Sequence, residues 1–367
     1  MDSKGLILVT GATGFIGSHT VVELIENGYN VLGVDNFYNS TPDVLIGINK
    51  IIEQSTSPDK GKFFFEEADC SDYVQFEKVL KKYCYNKNPQ EPSSSEKSST
   101  CKLVGAIHFA ACKAVKESLE KPLLYYRNNI VSLINLVELM NMFSSTNNIV
   151  FSSSCTVYGQ PSTENLPIKE SAPLQKSLTP YGKTKQIAEE ILEDCCKTYK
   201  ELKVCALRYF NPIGAHPSAL IGELPRGVPQ NLVPFITQTA ANIRECLNIF
   251  GDDYNTPDGS CIRDYIYVVD LAKAHIAALN KMIENKLEKW NVYNIGTGKG
   301  YSVLELVNSF IKTTGVNLKY KIAPRREGDI EQIWAEPSKA EKDLEWKADT
   351  PIETILMSAW KWQQKLL

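Results

Sequence analysis

The stretch LILVTGATGFIGSH, residues 6–19, decides the fold of this chain. An apolar run ends in a segment with glycines at positions 11, 14 and 17, and the helical pattern SHTVVELIENG (18–28) follows. Gly11 would allow a tight turn, Gly14 would let the backbone approach a pyrophosphate, and Gly17 would permit close packing of helix on strand. The helix N-terminus would then offer unpaired N–H groups to phosphate. Three glycines alone would also suit an ordinary tight turn between a strand and a helix.

An acidic residue on the next predicted strand favours the dinucleotide interpretation. The apolar run VLGV (31–34) ends at Asp35, which follows Gly17 by 18 residues. An acid near this spacing bonds to the ribose 2′-hydroxyl and repels a 2′-phosphate. The sequence therefore predicts NAD, rather than NADP, as the cofactor.

Short apolar runs alternate with amphipathic stretches along the chain. Helical patterns at 18–28 and 123–143 lie among predicted strands at 6–9, 31–34, 104–110, 148–153 and 204–210. Near-continuous hydrophobic strands separated by helices indicate a parallel sheet covered on both faces. We predict an α/β fold: a doubly wound parallel sheet of the Rossmann type with a smaller C-terminal substrate-binding lobe.

The boundary between the two parts is predicted near residue 210, where the chain becomes rich in proline and glycine. Residues 1–210 are assigned to the NAD-binding domain, to which the chain is expected to return at about 263–295. Residues 211–367 are assigned mainly to the second lobe, with Trp346, Trp360 and Trp362 as packing residues. The polar, serine-rich segment 86–100 is predicted to be a flexible surface insertion, because it has too few apolar residues to offset its ordering entropy.

Composition excludes several classes of function. The chain has 367 residues, 43% of them hydrophobic, and a formal net charge of −3. With this charge, no electrostatic attraction to nucleic acid or anionic lipid is expected. No signal peptide and no apolar stretch long enough to span a bilayer is evident. The ten cysteines form no CxxC pair and the four histidines show no ligand spacing, so we expect reduced thiols, a cytoplasmic location and no metal site.

A tyrosine and a lysine in the stretch LTPYGKTKQIAEE carry the chemical prediction. Tyr181 and Lys185 stand at i and i+4, which places them on one face of a helix. A cation near the phenol should lower the pKa of Tyr181 and make it a general base. The same spacing on an exposed helix is a frequent coincidence, but the hydroxyl-rich strand end SSSCT lies upstream, where Ser154 could bond to the reacting oxygen. The neighbouring Cys155 lacks a histidine partner and is expected to be a wall residue.

Motifs along almost the whole chain resemble one known family. The GxxGxxG spacing is similar to that of the short-chain dehydrogenase/reductase superfamily. The further motifs resemble its UDP-glucose 4-epimerase family, in the extended group, and occur in the order TGATGFIGSH, VDN, IHFAACKAVKES, YYRNN, SSSCTVYG, TPYGKTK, LRYFNPIGAHPS, GVPQNLVP, IFGDDY, DGSCIRDYIYVVDLA, YNIGTG and PRREGD.

This resemblance implies a mechanism and a set of site residues. Tyr181 would take the proton of the sugar 4-hydroxyl while hydride passes to bound NAD, and the 4-keto sugar would turn and receive hydride on its other face. The enzyme would interconvert UDP-glucose and UDP-galactose in galactose metabolism. It implies a cofactor site of Gly11, Gly14, Phe15, Ile16, Gly17, Asp35, Asn36, Asn39, Ser40, Asp69, Cys70, Phe109, Ala110, Lys113, Asn128, Ser152, Tyr181, Lys185 and Tyr209. The implied substrate site comprises Ser154, Tyr181, Asn211, Asn231, Leu232, Asn248, Phe250, Arg263, Arg326, Asp329 and Ile333.

Several positions depart from the family pattern. Ala111 and Cys112 stand where relatives commonly have Gly-Leu, Cys155 where alanine is usual, and Gln230 where asparagine is frequent. Ile333 occupies a position where a tyrosine in some members crowds the sugar and a cysteine in others leaves room for an N-acetyl group. Use of UDP-GlcNAc and UDP-GalNAc is therefore left open.

Two other functions compete with epimerisation. A nucleotide-sugar 4,6-dehydratase or decarboxylase would share the first half-reaction, but Ser154, Cys155 and Thr156 offer no acid where dehydratases usually place one. A catalytically silent NAD-binding regulator is opposed by the intact set of Ser154, Tyr181 and Lys185. The resemblance also implies a homodimer, for which the apolar helices at 123–143 and 186–199 could supply the face.

Overall fold

The structure is a computed structural model that describes residues 4–84, 102–144, 146–326 and 329–367. The predicted insertion at 86–100 lies outside the described residues. The strands are β1 Leu6–Thr10, β2 Asn30–Asp35, β3 Phe63–Glu67, β4 Leu103–His108, β5 Asn147–Ser154, β6 Leu202–Tyr209, β7 Asn211–Ile213, β8 Leu247–Phe250, β9 Ile262–Tyr267, β10 Trp290–Ile295, β11 Gly300–Ser302, β12 Tyr320–Ala323 and β13 Gln332–Ile333.

Helices lie between most of these strands. They are α1 Phe15–Glu26, α2 Asp43–Gln54, α3 Tyr73–Tyr83, α4 Val115–Glu120, α5 Pro122–Phe143, α6 Pro180–Thr198, α7 Leu232–Ala240, α8 Val268–Ile283, α9 Val303–Thr314, α10 Ser338–Leu344 and α11 Ile352–Lys365. Short 3₁₀ helices cover Cys155–Tyr158 and Thr163–Asn165. Among the described helices, none is long and apolar enough to cross a membrane.

The central sheet has seven parallel strands in the order β3-β2-β1-β4-β5-β6-β10. Every residue of β1, β4 and β5 is buried, which explains their unbroken apolar pattern. One hydrophobic cluster joins the sheet to α1, α2 and α8, and a second joins its other face to α3, α5 and α6. The predicted α/β fold with a doubly wound parallel sheet is confirmed.

The strand order places a crevice at one edge of this sheet. Because β2 and β3 lie on one side of β1 and β4 lies on the other, the order in which successive strands are added to the sheet reverses at β1. Ligands of open α/β sheets bind at such a point. The glycine turn after β1 and the polar ends of β5 and β6 all lie at the carboxyl edge. The fold thus brings together segments that are far apart in sequence.

The second lobe is built around a smaller sheet. Strands β11, β9 and β13 are neighbours and β7 also pairs with β9, while β8 pairs with β12. A third hydrophobic cluster packs β7, β8 and β9 against α7, α9 and α11.

Residues 263–295, which were predicted to return to the large domain, are divided between the two parts of the structure. Helix α8 and strand β10 pack on or join the large sheet, whereas β9 belongs to the smaller one. Part of the C-terminal segment also packs on the large domain, since Leu344 and Trp346 join its core cluster. Trp346 is 8% exposed, and its indole donates to the Asp270 carbonyl, in agreement with a packing role.

Candidate active site

The helix that carries Tyr181 and Lys185 begins just before them. Thr179 caps α6, since its side-chain oxygen accepts a hydrogen bond from the Gly182 N–H at 3.2 Å, and Pro180 occupies the first helical position. Tyr181 therefore lies in the first turn and Lys185 one turn later. The Lys185 Nζ atom lies 5.9 Å from the centre of the Tyr181 ring. The predicted shared face is present.

Lys185 is held against the end of β5. Its Nζ donates to the Ser152 carbonyl oxygen at 2.5 Å and approaches the Ser152 hydroxyl at 3.2 Å. The ammonium also lies 4.8 Å from the centre of the Phe151 ring, and the residue is only 4% exposed. Burial lowers the pKa of Lys185 to about 7, and the negative charge of Glu189 opposes that shift.

The phenol of Tyr181 does not have the lowered pKa that the sequence predicted. Burial raises the pKa of Tyr181 to about 12, although a hydrogen bond with Ser154 favours the ionised form. The expectation that the lysine would lower this pKa is wrong. The physical reason is that the free-energy cost of removing the phenolate from water exceeds the stabilisation that its polar neighbours provide.

Ser154 is oriented by the turn that follows β5. Its hydroxyl oxygen accepts from the Thr156 backbone N–H at 3.2 Å, and the Thr156 hydroxyl lies 3.0 Å away. Since these contacts use the oxygen as an acceptor, the Ser154 proton is left for Tyr181 or a reacting oxygen. The neighbouring Cys155 is buried, and burial raises the pKa of its thiol to about 12, which agrees with a wall residue rather than a nucleophile.

A buried ion pair lies one turn beyond Lys185 on the same helix. Both oxygens of the Glu189 carboxylate accept from the Arg208 guanidinium, at 2.9 and 2.5 Å, and the Ser153 hydroxyl donates to the same carboxylate. Ser153 and Arg208 are direct partners in the β5–β6 ladder. The guanidinium also donates to the Tyr158 hydroxyl at 3.0 Å. These bonds fix α6 to the strand ends that carry the serines.

The glycine turn after β1 leaves room for a phosphate-bearing ligand. Gly11 has a φ of 69°, and a Cβ at Gly17 would lie 2.1 Å from the Gly11 carbonyl oxygen, so both positions need glycine. Gly14 is the N-cap of α1, and within the described residues the first turn, which includes Phe15 and Ile16, has neither a side-chain cap nor an acid. Its N–H groups are available to an anion.

Asp35 lies at the end of β2, next to this turn. Its carboxylate accepts from the Thr13 N–H at 3.1 Å and the Phe37 N–H at 2.8 Å. The Ser40 hydroxyl lies 2.6 Å from that of Thr13. Exposed Asn36 donates to half-buried Asp69 at 3.2 Å; Cys70, next in sequence, is buried, and Asn39 is exposed. Several residues of the predicted cofactor site thus form one group at the end of β2.

The loop after β4 supplies the other wall. Phe109 N–H donates to the Thr10 carbonyl, which places Phe109 and Ala110 against the glycine turn. Asn129 fixes the loop, since it bonds to both the N–H and the carbonyl of Cys112 and donates to Thr184 of α6. Asn128 donates to the Asn129 side chain, and Tyr209 pairs in register with Ser154.

The predicted substrate residues come from several elements of the second lobe. Arg263 on β9 donates to backbone carbonyls of residues 262 and 331, and its strand partner is the buried Ile333. Arg326 is ion-paired with Asp329 at 2.6 Å and lies 5.7 Å from the Phe250 ring centre. The remaining predicted residues are Asn211 at the start of β7, Asn231 and Leu232 at the start of α7, and Asn248 on β8.

Three charged residues at the site were missed by the sequence analysis. Glu189 follows Tyr181 and Lys185 at the same spacing of four, and Arg208 is the one charge in the run VCALRYF (204–210). Both signals were available in the sequence. Glu223, in the proline-rich loop, bonds to both Lys113 and Asn231, and no sequence pattern marks it. Among the described residues, no cluster of His, Cys, Asp or Glu could hold a metal ion.

Comparisons with known proteins match nearly the whole chain. The family model described as GDP-mannose 4,6 dehydratase matches residues 8–87 and 97–358. The UDP-glucose 4-epimerase of Bos taurus is 43% identical over 365 residues, which are 98% of this chain and 96% of the bovine protein. UDP-glucose 4-epimerase 2 of Arabidopsis thaliana is 44% identical over 356 residues, covering 97% of this chain and 94% of the plant protein.

Solved structures agree with these relatives. The UDP-glucose 4-epimerase of Stenotrophomonas maltophila, solved with NAD and formylated UDP-arabinopyranose, has a TM-score of 0.86 and 40% identity, covering 99% of this chain and 98% of that one. The Bifidobacterium longum UDP-glucose 4-epimerase, solved with NAD+ and UDP, has a TM-score of 0.84 and 40% identity, covering 98% of each chain. The chain belongs to the UDP-glucose 4-epimerase family of the extended short-chain dehydrogenases/reductases.

Proposed function

We propose that this chain is an NAD-dependent UDP-glucose 4-epimerase that interconverts UDP-glucose and UDP-galactose through a transient 4-keto sugar, in galactose metabolism. The observation that carries the proposal is the placement of Tyr181, Lys185 and Ser154 at the sheet edge where the glycine turn also lies. Its relatives of this name at about 43% identity support the assignment.

The residues of the cofactor side fit NAD. The uncapped first turn of α1 can receive a pyrophosphate, and the Asp35 carboxylate, partly exposed at the end of β2, can accept from a ribose hydroxyl. Two structures similar to this chain were solved with NAD or NAD+. When bound, NAD supplies a reversible acceptor for hydride.

The chain's own residues would handle the proton. Tyr181 Oη would take the proton of the 4-hydroxyl and later return it, with Ser154 donating to the oxygen that carries negative charge. Lys185, with a pKa of about 7, exchanges its proton near neutral pH and can balance charge at the phenol. Burial raises the pKa of the Tyr181 phenol to about 12, and the hydrogen bond with Ser154 acts in the opposite direction by favouring the ionised form.

The substrate would be held by its nucleotide, which leaves the sugar free to turn. Arg263 and Arg326 can each address a diphosphate with a planar pair of donors. Asn211 and Asn231 offer amide groups to uracil, ribose or sugar hydroxyls. Ile333 is 2% exposed and packs in the cluster that contains Cys155, so it sets the volume beside Ser154.

A 4,6-dehydratase is the second candidate, since the matching family model carries that description. Elimination of a sugar hydroxyl needs an acid beside the reacting carbon. Cys155 and Thr156, which follow Ser154, are not carboxylic acids. The nearby carboxylate of Glu189 is ion-paired with Arg208 and therefore does not serve as the acid. The local chemistry favours epimerisation.

A coupled assay of the chain with UDP-galactose tests the proposal. We expect UDP-glucose to form without net consumption of NAD, whereas a 4-keto-6-deoxy product would contradict it. The same assay on UDP-N-acetylgalactosamine decides substrate range, and Ile333→Tyr should lower turnover of the acetylated pair more than of the plain pair. Equal losses for both pairs would remove Ile333 as a selectivity residue.

A homodimer and a cytoplasmic location complete the proposal. Leu123 is 77% exposed and Ile134 39% exposed on α5, and burial of this face against a second copy would remove apolar surface from water. The nine described cysteines are all free thiols, which suits a reducing compartment. Light scattering should give twice the chain mass, and Ile134→Asp should give a monomer; a wild-type monomer would refute the dimer.

A further inference from the structure

The strap, residues 223–227 in the loop between β7 and α7, is anchored to the second lobe at both ends. At one end, the Trp362 indole N–H donates to the Glu223 carbonyl at 2.9 Å. At the other end, the Arg244 guanidinium donates to the Gly227 carbonyl at 3.2 Å. Because both bonds hold the backbone, the position of the strap is set by the second lobe and not by the side chains that leave it.

Two side chains of the strap reach loops of the large domain. The Arg226 guanidinium donates to the carbonyls of Phe37 and Tyr38, in the loop after β2, at 3.1 and 2.9 Å. The Glu223 carboxylate accepts from the Lys113 ammonium, in the loop after β4, at 3.4 Å. Strands β2 and β4 flank β1 in the sheet, and the glycine turn follows β1. The strap therefore joins the two loops that lie on either side of the proposed cofactor site.

The loop after β2 offers Arg226 a turn that other contacts already hold. Phe37 has a φ of 55°, which is uncommon for a bulky side chain and persists where its surroundings hold it. Its N–H donates to the Asp35 carboxylate at 2.8 Å, and its ring centre lies 5.4 Å from that of Phe65 on β3. The same nitrogen of Arg226, Nη1, donates to two successive carbonyl groups of this turn.

These contacts can open without unfolding the chain. Arg226 is exposed, the Lys113 side chain is 55% exposed, and Leu224 between the two contacts is 37% exposed. Segments that bury little apolar surface open at low free energy, while the core around them stays folded. The strap thus has fixed ends and a middle that can separate from the large domain.

We propose that the strap retains NAD in its site: while Arg226 is bonded to the loop after β2, the cofactor is held, and it leaves when this contact opens. The inference rests on the cofactor assignment within the proposed function. Arg226 is a positioning residue, since it acts through the carbonyls of Phe37 and Tyr38. Asp35, the residue expected at the ribose, lies two positions before Phe37, so the contact also keeps that carboxylate in place.

Substitution of Arg226 should change the release of NAD and leave the binding of UDP intact. Arg226→Ala should raise the rate of NAD release by about fivefold, the scale of a lost hydrogen bond from a charged but exposed donor. Arg226→Glu places an anion against the two carbonyl oxygens and should raise the rate further. UDP affinity should stay within about twofold of wild type in both variants, because the anchors of the strap are unchanged. Loss of a merely structural contact would weaken both ligands together.

The test uses the purified holoenzyme. Samples taken during incubation are freed of released NAD by gel filtration, and the absorbance of the NAD that remains on the protein gives the release rate; calorimetry gives the UDP affinity. Arg325→Ala is the matched control. Arg325 has a side chain 46% exposed and also donates to a backbone carbonyl, that of Asp253 at 2.5 Å, but it contacts the second lobe. Its variant should release NAD at the wild-type rate.

The outcomes separate this inference from the proposed function. A wild-type rate of NAD release in both Arg226 variants would overturn the inference, and so would a fall in UDP affinity in proportion to the faster release. A faster release in Arg325→Ala equal to that in Arg226→Ala would also overturn it. A wild-type chain that retains NAD without epimerising UDP-galactose would contradict the proposed function alone.

Discussion

Two sets of ion pairs at the crevice have similar distances and opposite surroundings. Beneath the catalytic face, Glu189 and Arg208 meet at 2.5 Å with side chains 5% and 6% exposed. In the second lobe, Arg326 meets Asp329 at 2.6 Å, with side chains 54% and 13% exposed respectively. Nearby Arg325 meets Asp253 at 2.6 Å, with exposures of 46% and 69%.

The difference in burial assigns different roles to similar contacts. Breaking a buried pair leaves an uncompensated charge, so the Glu189–Arg208 pair keeps α6 and the serine strand end in one arrangement. An exposed pair contributes little and exchanges partners readily. The Arg326 guanidinium is therefore accessible to a phosphate, whereas Asp329 is mostly enclosed. The residues for chemistry are fixed in advance, and those for the nucleotide are free to rearrange.

The largest expected effect is on catalysis. Tyr181→Phe removes the proposed acid–base group and should lower kcat by about 10³-fold, within the usual range for such groups. UDP affinity should change by less than about twofold, because the nucleotide contacts lie in the other region. Steady-state kinetics and UDP titration measure both. Tyr199→Phe, at the far end of the same helix, is the control, and near-normal turnover in Tyr181→Phe would refute the mechanism.

The next effect tests the burial contrast directly. Glu189→Gln should lower the free energy of unfolding by about 3–5 kcal/mol, because Arg208 keeps its charge without a partner. Asp253→Asn breaks an exposed pair and should leave the free energy of unfolding almost unchanged. Denaturant unfolding of both variants measures the difference. Equal losses would show that burial does not separate the two regions.

A third prediction uses the pKa of about 7 at Lys185. Between pH 7 and about 10 the unfolded chain keeps this proton and the folded chain has lost it, so this group makes the folded state more stable as pH rises. Below pH 7 both states hold the proton and the contribution is constant. The free energy of unfolding of wild type, relative to that of Lys185→Met, should therefore rise by up to about 1.4 kcal/mol per pH unit between pH 7 and 9.

Free energies of unfolding of the two proteins at pH 7, 8 and 9 provide the check. The neighbouring titratable groups of the folded chain do not change their charge between pH 7 and 9. Burial lowers the pKa of His108 to about 3 and raises that of Tyr181 to about 12. Parallel pH profiles for the two proteins would mean that Lys185 keeps its ordinary pKa.

The smallest effect concerns the exposed arginine. Arg326→Gln should weaken UDP binding by about tenfold, since a charge-assisted bond to phosphate is lost. The free energy of unfolding should change by less than about 1 kcal/mol, as for other exposed pairs. Calorimetry and denaturant unfolding measure the two quantities. A large loss of stability would place Arg326 with the buried pairs.

The chain's local patterns predicted much of this architecture. The apolar runs predicted the strands of the large sheet, and the glycine spacing predicted the turn, although α1 begins at Phe15 rather than at residue 18. The membership of β9 in the smaller sheet could not be predicted, because an apolar strand pattern does not name its neighbour. The pKa of Tyr181 was predicted in the wrong direction, because sequence spacing shows a cation but not the extent of burial.

The sequence by itself determined the doubly wound fold, the glycine turn with Asp35, and the pairing of Tyr181 with Lys185, because these depend on residues close together in the chain. Only the tertiary structure decided which charges are buried and what Glu223 contacts. Glu223 meets Lys113 across a separation of 110 residues. Arg208 lies beside Ser153 because β5 and β6 align in register, and Glu189 of α6 bonds to both of them. Burial and long-range contact are properties of the packed chain, and they set the pKa values and the strength of each ion pair.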